Sequence, residues 1–170
     1  VLGEGTEAPT FELPGVVEGR PVRVRLDSLL VESVVVLVFY PADFNPSCTD
    51  DTTDLDEFVV FVVQSDATVL GVSGDSVYSH RAFAEQHRID FPLLSDSDGR
   101  VAEAYGVRAE EIDDHRGVAR SAVFVVDPDR IVQYAWRSEE TADEPDLEAV
   151  EHAARCHGDK CELPDGKSYL

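Results

Sequence analysis

Lysine is nearly missing from this chain: of 14 basic residues only Lys160 and Lys167 are lysines, and the rest are arginines. Long apolar runs are missing too. The longest, such as Val34–Tyr40 and Val59–Val63, fall far short of the roughly 18 residues that a membrane-spanning helix needs. Val1–Gly5 carries neither a basic segment nor an apolar signal core, so no export signal is expected. There is no internal repeat, low-complexity tract or domain-splitting linker, and no glycine motif of the phosphate-loop or dinucleotide-binding kind. No cofactor is expected. Cysteine is scarce and odd in number: Cys48, Cys156 and Cys161. Secreted chains favour even disulfide frameworks, so the count points to a reducing, cytoplasmic setting.

What is abundant is negative charge. The chain has 35 acidic residues, a net charge of −21 and a pI near 4.3. Such a field repels nucleic acid and anionic membranes, which excludes both as partners. The acids are scattered among apolar residues rather than gathered in a tail, as in proteins adapted to high salt, where screening weakens self-repulsion. At 170 residues with 43% hydrophobic content, a single domain over 1–170 is expected, with a cysteine-bearing tail from about 156.

The pattern along the chain reads as follows. Phe11–Leu13 and Val22–Leu26 are short strands about a turn at Gly15–Gly19. Val34–Tyr40, continuously apolar and β-branched, is a central strand buried on both faces and stopped by Pro41. Leu55, Phe58, Val59 and Val62 recur at helical spacing, so a helix opens at Cys48 or Thr49. Thr68–Ser73 is a second buried strand, Val77–His87 a helix and Phe91–Leu94 an extended piece. Ser95–Gly99 is a turn, and Val101–Tyr105 a short helix closed by Gly106. Ser121–Val126 and Ile131–Trp136 form a hairpin through Asp127–Arg130, and Leu147, Val150, Ala153 and Ala154 mark a last helix. The acidic runs Glu110–Asp114 and Glu139–Asp146 read as solvated loops. Together these elements predict an α/β fold, a mixed central sheet with helices on both faces.

Cys48 carries the chemistry. A free thiol titrates near pH 8.5, and only its thiolate is a strong nucleophile. The order strand, Pro41, loop, Cys48, helix sets the sulfur where helix N-terminal N–H groups stabilise an anion. A buried, inert cysteine is the alternative. The flanking residues decide between them. Phe39-Tyr40-Pro41-Ala42-Asp43-Phe44-Asn45-Pro46-Ser47-Cys48-Thr49 resembles the active-site segment of the peroxiredoxins, Pro-x-x-x-Thr/Ser-x-x-Cys. Gly71-Val72-Ser73-Gly74-Asp75-Ser76, Ser79-His80-Phe83, Phe91-Pro92-Leu93-Leu94-Ser95-Asp96, Gly106-Val107 and Phe124-Val125-Val126-Asp127 continue the likeness in order, from about Gly5 to Trp136.

The resemblance implies a thioredoxin-like fold and a thiol-dependent peroxidase that reduces hydrogen peroxide and organic hydroperoxides through a sulfenic acid on Cys48. By the same resemblance Pro41 shields the thiolate, and N–H groups near Ser47 and Cys48 bind the peroxide. A thiol reductant, either a thioredoxin-like protein or a small thiol, restores the enzyme, and a homodimer or larger homo-oligomer is implied. Two positions depart from the pattern. Asn45 stands where the family has Thr or Ser, and the family's strand arginine would fall at Ser121, whereas the arginine is Arg120. A one-residue shift flips a side chain to the other face of a strand, so a bulge or irregular strand start is needed to return Arg120 to the site. A redox sensor or chaperone-like module with weak turnover is the alternative function.

Cys156 and Cys161 are candidates to resolve the sulfenic acid as a disulfide. An external thiol in a one-cysteine mechanism, or no role at all, stands beside that reading. A metal site from His152, Cys156, His157 and Cys161 fits known zinc spacings poorly. His80 is expected to be structural, Asp51 to support the Cys48 network, and Trp136 to lie in a core or an interface.

Overall fold

In the computed structural model, residues 2–46, 66–139, 143–157 and 160–161 are described. Seven strands make one sheet in the order β2-β1-β5-β4-β3-β8-β9. They are β1 (Glu12–Val17), β2 (Arg20–Arg25), β3 (Val35–Phe39), β4 (Thr68–Ser73), β5 (Leu93–Ser95), β8 (Ala122–Val126) and β9 (Val132–Arg137). The central trio β3, β4 and β5 is parallel, and its flanks pair antiparallel. The sheet is therefore mixed, as the sequence predicts. Two small hairpins, β6 (Glu111–Ile112) with β7 (His115–Arg116) and β10 (Cys156–His157) with β11 (Lys160–Cys161), stand apart from it.

Strand periodicity sorts the apolar residues onto two faces. Val35, Leu37 and Phe39 of β3 join Phe124, Tyr105 and α1 (Leu26–Leu30) in one core. Val36, with Val123 and Val125, packs instead against Val150, Ala153 and Ala154 of α4 (Leu147–Arg155). A smaller core joins Phe83 and Ala84 of α2 (Val77–His87) to Val16 and Leu93. The helix α3 (Arg100–Ala104) adds Val101 and Ala102 to the first core. The rings of Phe39, Tyr105 and Phe124 lie 5.1–5.9 Å apart between centroids and anchor that core.

Several local expectations are corrected. Gly15 lies inside β1, where a Cβ would stand 2.6 Å from the Leu93 carbonyl oxygen, so the glycine serves the close approach of β5. The actual turn is Glu18-Gly19, both at positive φ, the two-residue geometry that matches strand twist. Leu26 opens α1 instead of closing a strand. Asp113-Asp114, also both at positive φ, form the tip of the β6–β7 hairpin, so the acidic run there is partly ordered.

Burial fixes how two tyrosines titrate. Tyr105, fully buried and donating its hydroxyl to the Pro9 carbonyl, is held far above the ordinary tyrosine value by burial, with the Asp27 carboxylate adding to it. A folded-state value above the unfolded one means the stabilisation is complete below about pH 10 and declines as pH rises through the raised value. Tyr40 behaves alike, pushed well up first by burial and then by the charge and hydrogen bond of Asp43. In a tyrosinate absorbance titration, two of the five tyrosines are therefore expected to stay silent near pH 10 and to ionise only as the protein unfolds. All five titrating together near the ordinary value would contradict this burial.

Candidate active site

β3 ends at Phe39, and the chain leaves the sheet through Tyr40, Pro41 and Ala42 at the carboxyl end of the parallel strands. Open α/β sheets bind their ligands at that end. The loop is fastened chiefly through Asp43. Asp43, five residues before Cys48, is buried, with a side chain 0% exposed. Its Oδ1 accepts from the Tyr40 hydroxyl at 2.8 Å and its Oδ2 from the Ser79 hydroxyl at 2.8 Å. His80 Nδ1, also fully buried, lies 2.8 Å from Oδ2. The opposite ring nitrogen, Nε2, is 3.0 Å from the Leu94 carbonyl oxygen of β5.

The backbone of Asp43 is held as well. Its N–H donates to Asp75 Oδ2 at 2.8 Å, and the same oxygen accepts from the Ser73 hydroxyl at 2.6 Å. Ser73 ends β4, and Ser76 caps α2 by accepting from the Ser79 N–H at 3.2 Å. That cap fixes the first turn of α2, from which Ser79 and His80 reach the loop. Gly71 of β4 leaves room for the Leu93 side chain, since a Cβ there would come 2.7 Å from its Cδ2. Beyond Asp43, Phe44 takes φ +60° and sets its ring edge-on to Phe83 at 5.2 Å. Asn45 is half-buried.

Of the residues singled out in the sequence, Pro41 and Asn45 stand in this loop. Ser47, Cys48, Thr49, Asp51 and the helix expected after Cys48 lie outside the described residues. Arg120 is brought to the same end of the sheet, because Ala122, two residues on, faces Phe39. β8 pairs regularly with β3 from Val126 to Ala122, and the one register shift, at Val125/Val126, is against β9. No bulge against β3 therefore carries Arg120 over. Its N–H bonds the Val107 carbonyl instead, so any redirection arises in the segment before Ala122. Glu139 reports its charge: that carboxyl is held below its usual value by a hydrogen bond from Arg137, by the Arg137 charge, and to a lesser degree by Arg120.

At the other end of the chain Cys156 caps α4 and is disulfide-bonded. Cys161 lies directly across the β10–β11 ladder from it. Trp136 packs on the α4 face of the sheet. His80, expected to be structural, is part of the loop anchor, and the spacing of Asp43, Asp75 and Ser73 gives no sign of their part in it. The signal is weak in sequence because 37 positions separate Asp43 from His80. Among the described residues no cluster of histidine, cysteine and acids is placed to hold a metal, and no helix is long and apolar enough to cross a membrane.

A mixed sheet whose parallel strands deliver a pinned, proline-led loop to a cysteine is the layout of a thioredoxin-like thiol enzyme. The chain belongs to the AhpC/TSA family, whose profile matches residues 5–135, and it is a thiol peroxidase of the peroxiredoxin kind. A peroxiredoxin of Mycobacterium tuberculosis is 37% identical over 139 residues, covering 82% of this chain and 88% of that protein. The bcp peroxiredoxin of Coxiella burnetii is 33% identical over 135 residues, covering 78% of this chain and 86% of that one. The chain spans 51% of the length of the spinach chloroplast 2-Cys peroxiredoxin, at 29% identity. Among solved structures, the peroxidoxin BcpB of Mycobacterium tuberculosis superposes with a TM-score of 0.71 at 32% identity, covering 89% of this chain and 93% of that one.

Proposed function

We propose that Cys48 is the nucleophile and that the loop from Tyr40 to Ser47 presents it to a hydroperoxide. The thiolate sulfur attacks one peroxide oxygen, the O–O bond breaks, and the departing oxygen takes up a proton and leaves as water or, from an alkyl hydroperoxide, as alcohol. Cys48 is left as a sulfenic acid, which a dithiol reductant returns to the thiol with loss of water and formation of its own disulfide. Charge spreads over both oxygens in the transition state, so N–H donors at Ser47 and Cys48 and the Arg120 guanidinium are the groups that stabilise it. Pro41 excludes water from the sulfur. Asn45, replacing a hydroxyl residue, offers an amide N–H donor in its place.

The observation that carries this reading is the fastening of the Pro41 loop at the carboxyl end of β3, with the family match running through it. Cys156 is in a disulfide, so it must be reduced before its thiol could resolve a sulfenic acid on Cys48, whereas an external dithiol can do so directly. The test is peroxide consumption coupled to a dithiol reductant. Steady turnover of both hydrogen peroxide and an organic hydroperoxide is expected. Rapid oxidation of Cys48 with negligible turnover would select the redox-sensor alternative instead.

A further inference from the structure

Asp43 receives more bonds than a surface loop needs. Two hydroxyls and an imidazole converge on its carboxylate, and a fourth bond holds its own N–H. The protonation of the pair follows from the partners. The Leu94 carbonyl can only accept, so Nε2 of His80 carries a hydrogen. The Asp43 oxygens already accept from Tyr40 and Ser79, so a single proton lies between Nδ1 and the carboxylate. The imidazole is thus aligned at both ends, by β5 on one side and the loop on the other. A buried pair of this kind adds little stability over apolar residues of the same shape, and its best-attested use is to fix one arrangement against others.

We propose that Asp43 and His80 are positioning residues for the peroxide reaction: their buried hydrogen-bonded pair holds the loop between Pro41 and Cys48 in the geometry that in-line attack on an O–O bond requires. The inference rests on the reading of Cys48 as the attacking thiol. Asp43 lies two residues after Pro41 and five before Cys48, so its anchor acts on the segment that carries the shield, the expected N–H donors and the sulfur. Ordinary alkylation of a thiolate needs an accessible sulfur and little else. Peroxide cleavage needs donors aimed at both oxygens, and a misplacement of about 1 Å in such geometry costs roughly 100-fold in rate.

The two reactions separate positioning from general integrity. For Asp43→Asn, the second-order rate constant of reduced protein with hydrogen peroxide is expected to fall about 10- to 100-fold. Alkylation of Cys48 by iodoacetamide at the same pH should stay within about threefold of wild type. Ser79→Ala, which removes one bond from a half-buried position and leaves the pair intact, keeps the test available if the first variant folds poorly. It should show the same split, at about 3- to 10-fold. Peroxide rates at the wild-type level in folded variants would overturn the proposal, as would a parallel fall in both reactions. Failure of wild-type Cys48 itself to react with peroxide would refute the underlying functional reading rather than the split between the two reactions.

Discussion

Cys48→Ser is expected to lose peroxide consumption almost completely, with kcat/KM falling by about 10³-fold or more. A serine hydroxyl has no thiolate-like population at neutral pH, and it cannot pass through a sulfenic acid. The loop that leads to residue 48 is anchored through Asp43 to Asp75, to α2 and, by way of His80, to β5, and the substitution removes none of those bonds. The variant should therefore keep wild-type stability and circular dichroism, separating lost chemistry from lost fold. Steady-state turnover with a dithiol reductant measures it. Residual activity within about tenfold of wild type would move the nucleophile to Cys156 or Cys161.

His80→Ala is expected to cost about 3–5 kcal/mol, because it strands a carboxylate whose side chain has no exposure at all. At roughly 2–4 °C per kcal/mol for a chain of this size, the melting temperature should drop by about 6–20 °C. The Tyr40 and Ser79 hydroxyls remain as donors and set the lower end of that range. A double variant, Asp43→Leu with His80→Leu, removes the charge along with its partner, so much of the stability should return while the peroxide rate stays low. Thermal denaturation of the single and double variants measures the coupling. A single variant as stable as wild type would show that the pair is not buried as described.

Much of the fold was legible in the sequence because it rests on local periodicity. Thr68–Ser73 and Val77–His87 have the bounds their apolar patterns predict, and Val35–Phe39 differs from its expectation by one residue at each end. The reading fell short where a glycine or an acid has two uses. Gly15 looked like a turn residue but makes room for the Leu93 carbonyl, a contact made across 78 positions of sequence. Asp113-Asp114 are solvated as expected, and they also supply the positive φ angles of a tight hairpin tip.

The site divides in the same way. Cys48, Pro41 and Asn45 stand in one contiguous motif and could be named from it. Asp43 stands in that motif too, yet its distant partners are Asp75, just past β4, and Ser79 and His80 of α2, and a polar contact between distant segments leaves no periodic trace. Arg120 shows the limit from the other side. The one-residue offset was visible in sequence, and the regular β3–β8 ladder narrows its cause to the stretch before Ala122.

Reduced protein exposed to one equivalent of hydrogen peroxide and then digested for mass spectrometry puts the central claim to the most direct test. The expected result is one added oxygen on the Cys48 peptide, or a disulfide that includes Cys48, within the first seconds of reaction. An unmodified Cys48 peptide after the peroxide has been consumed, with oxidation confined to Cys156 or Cys161, would contradict it.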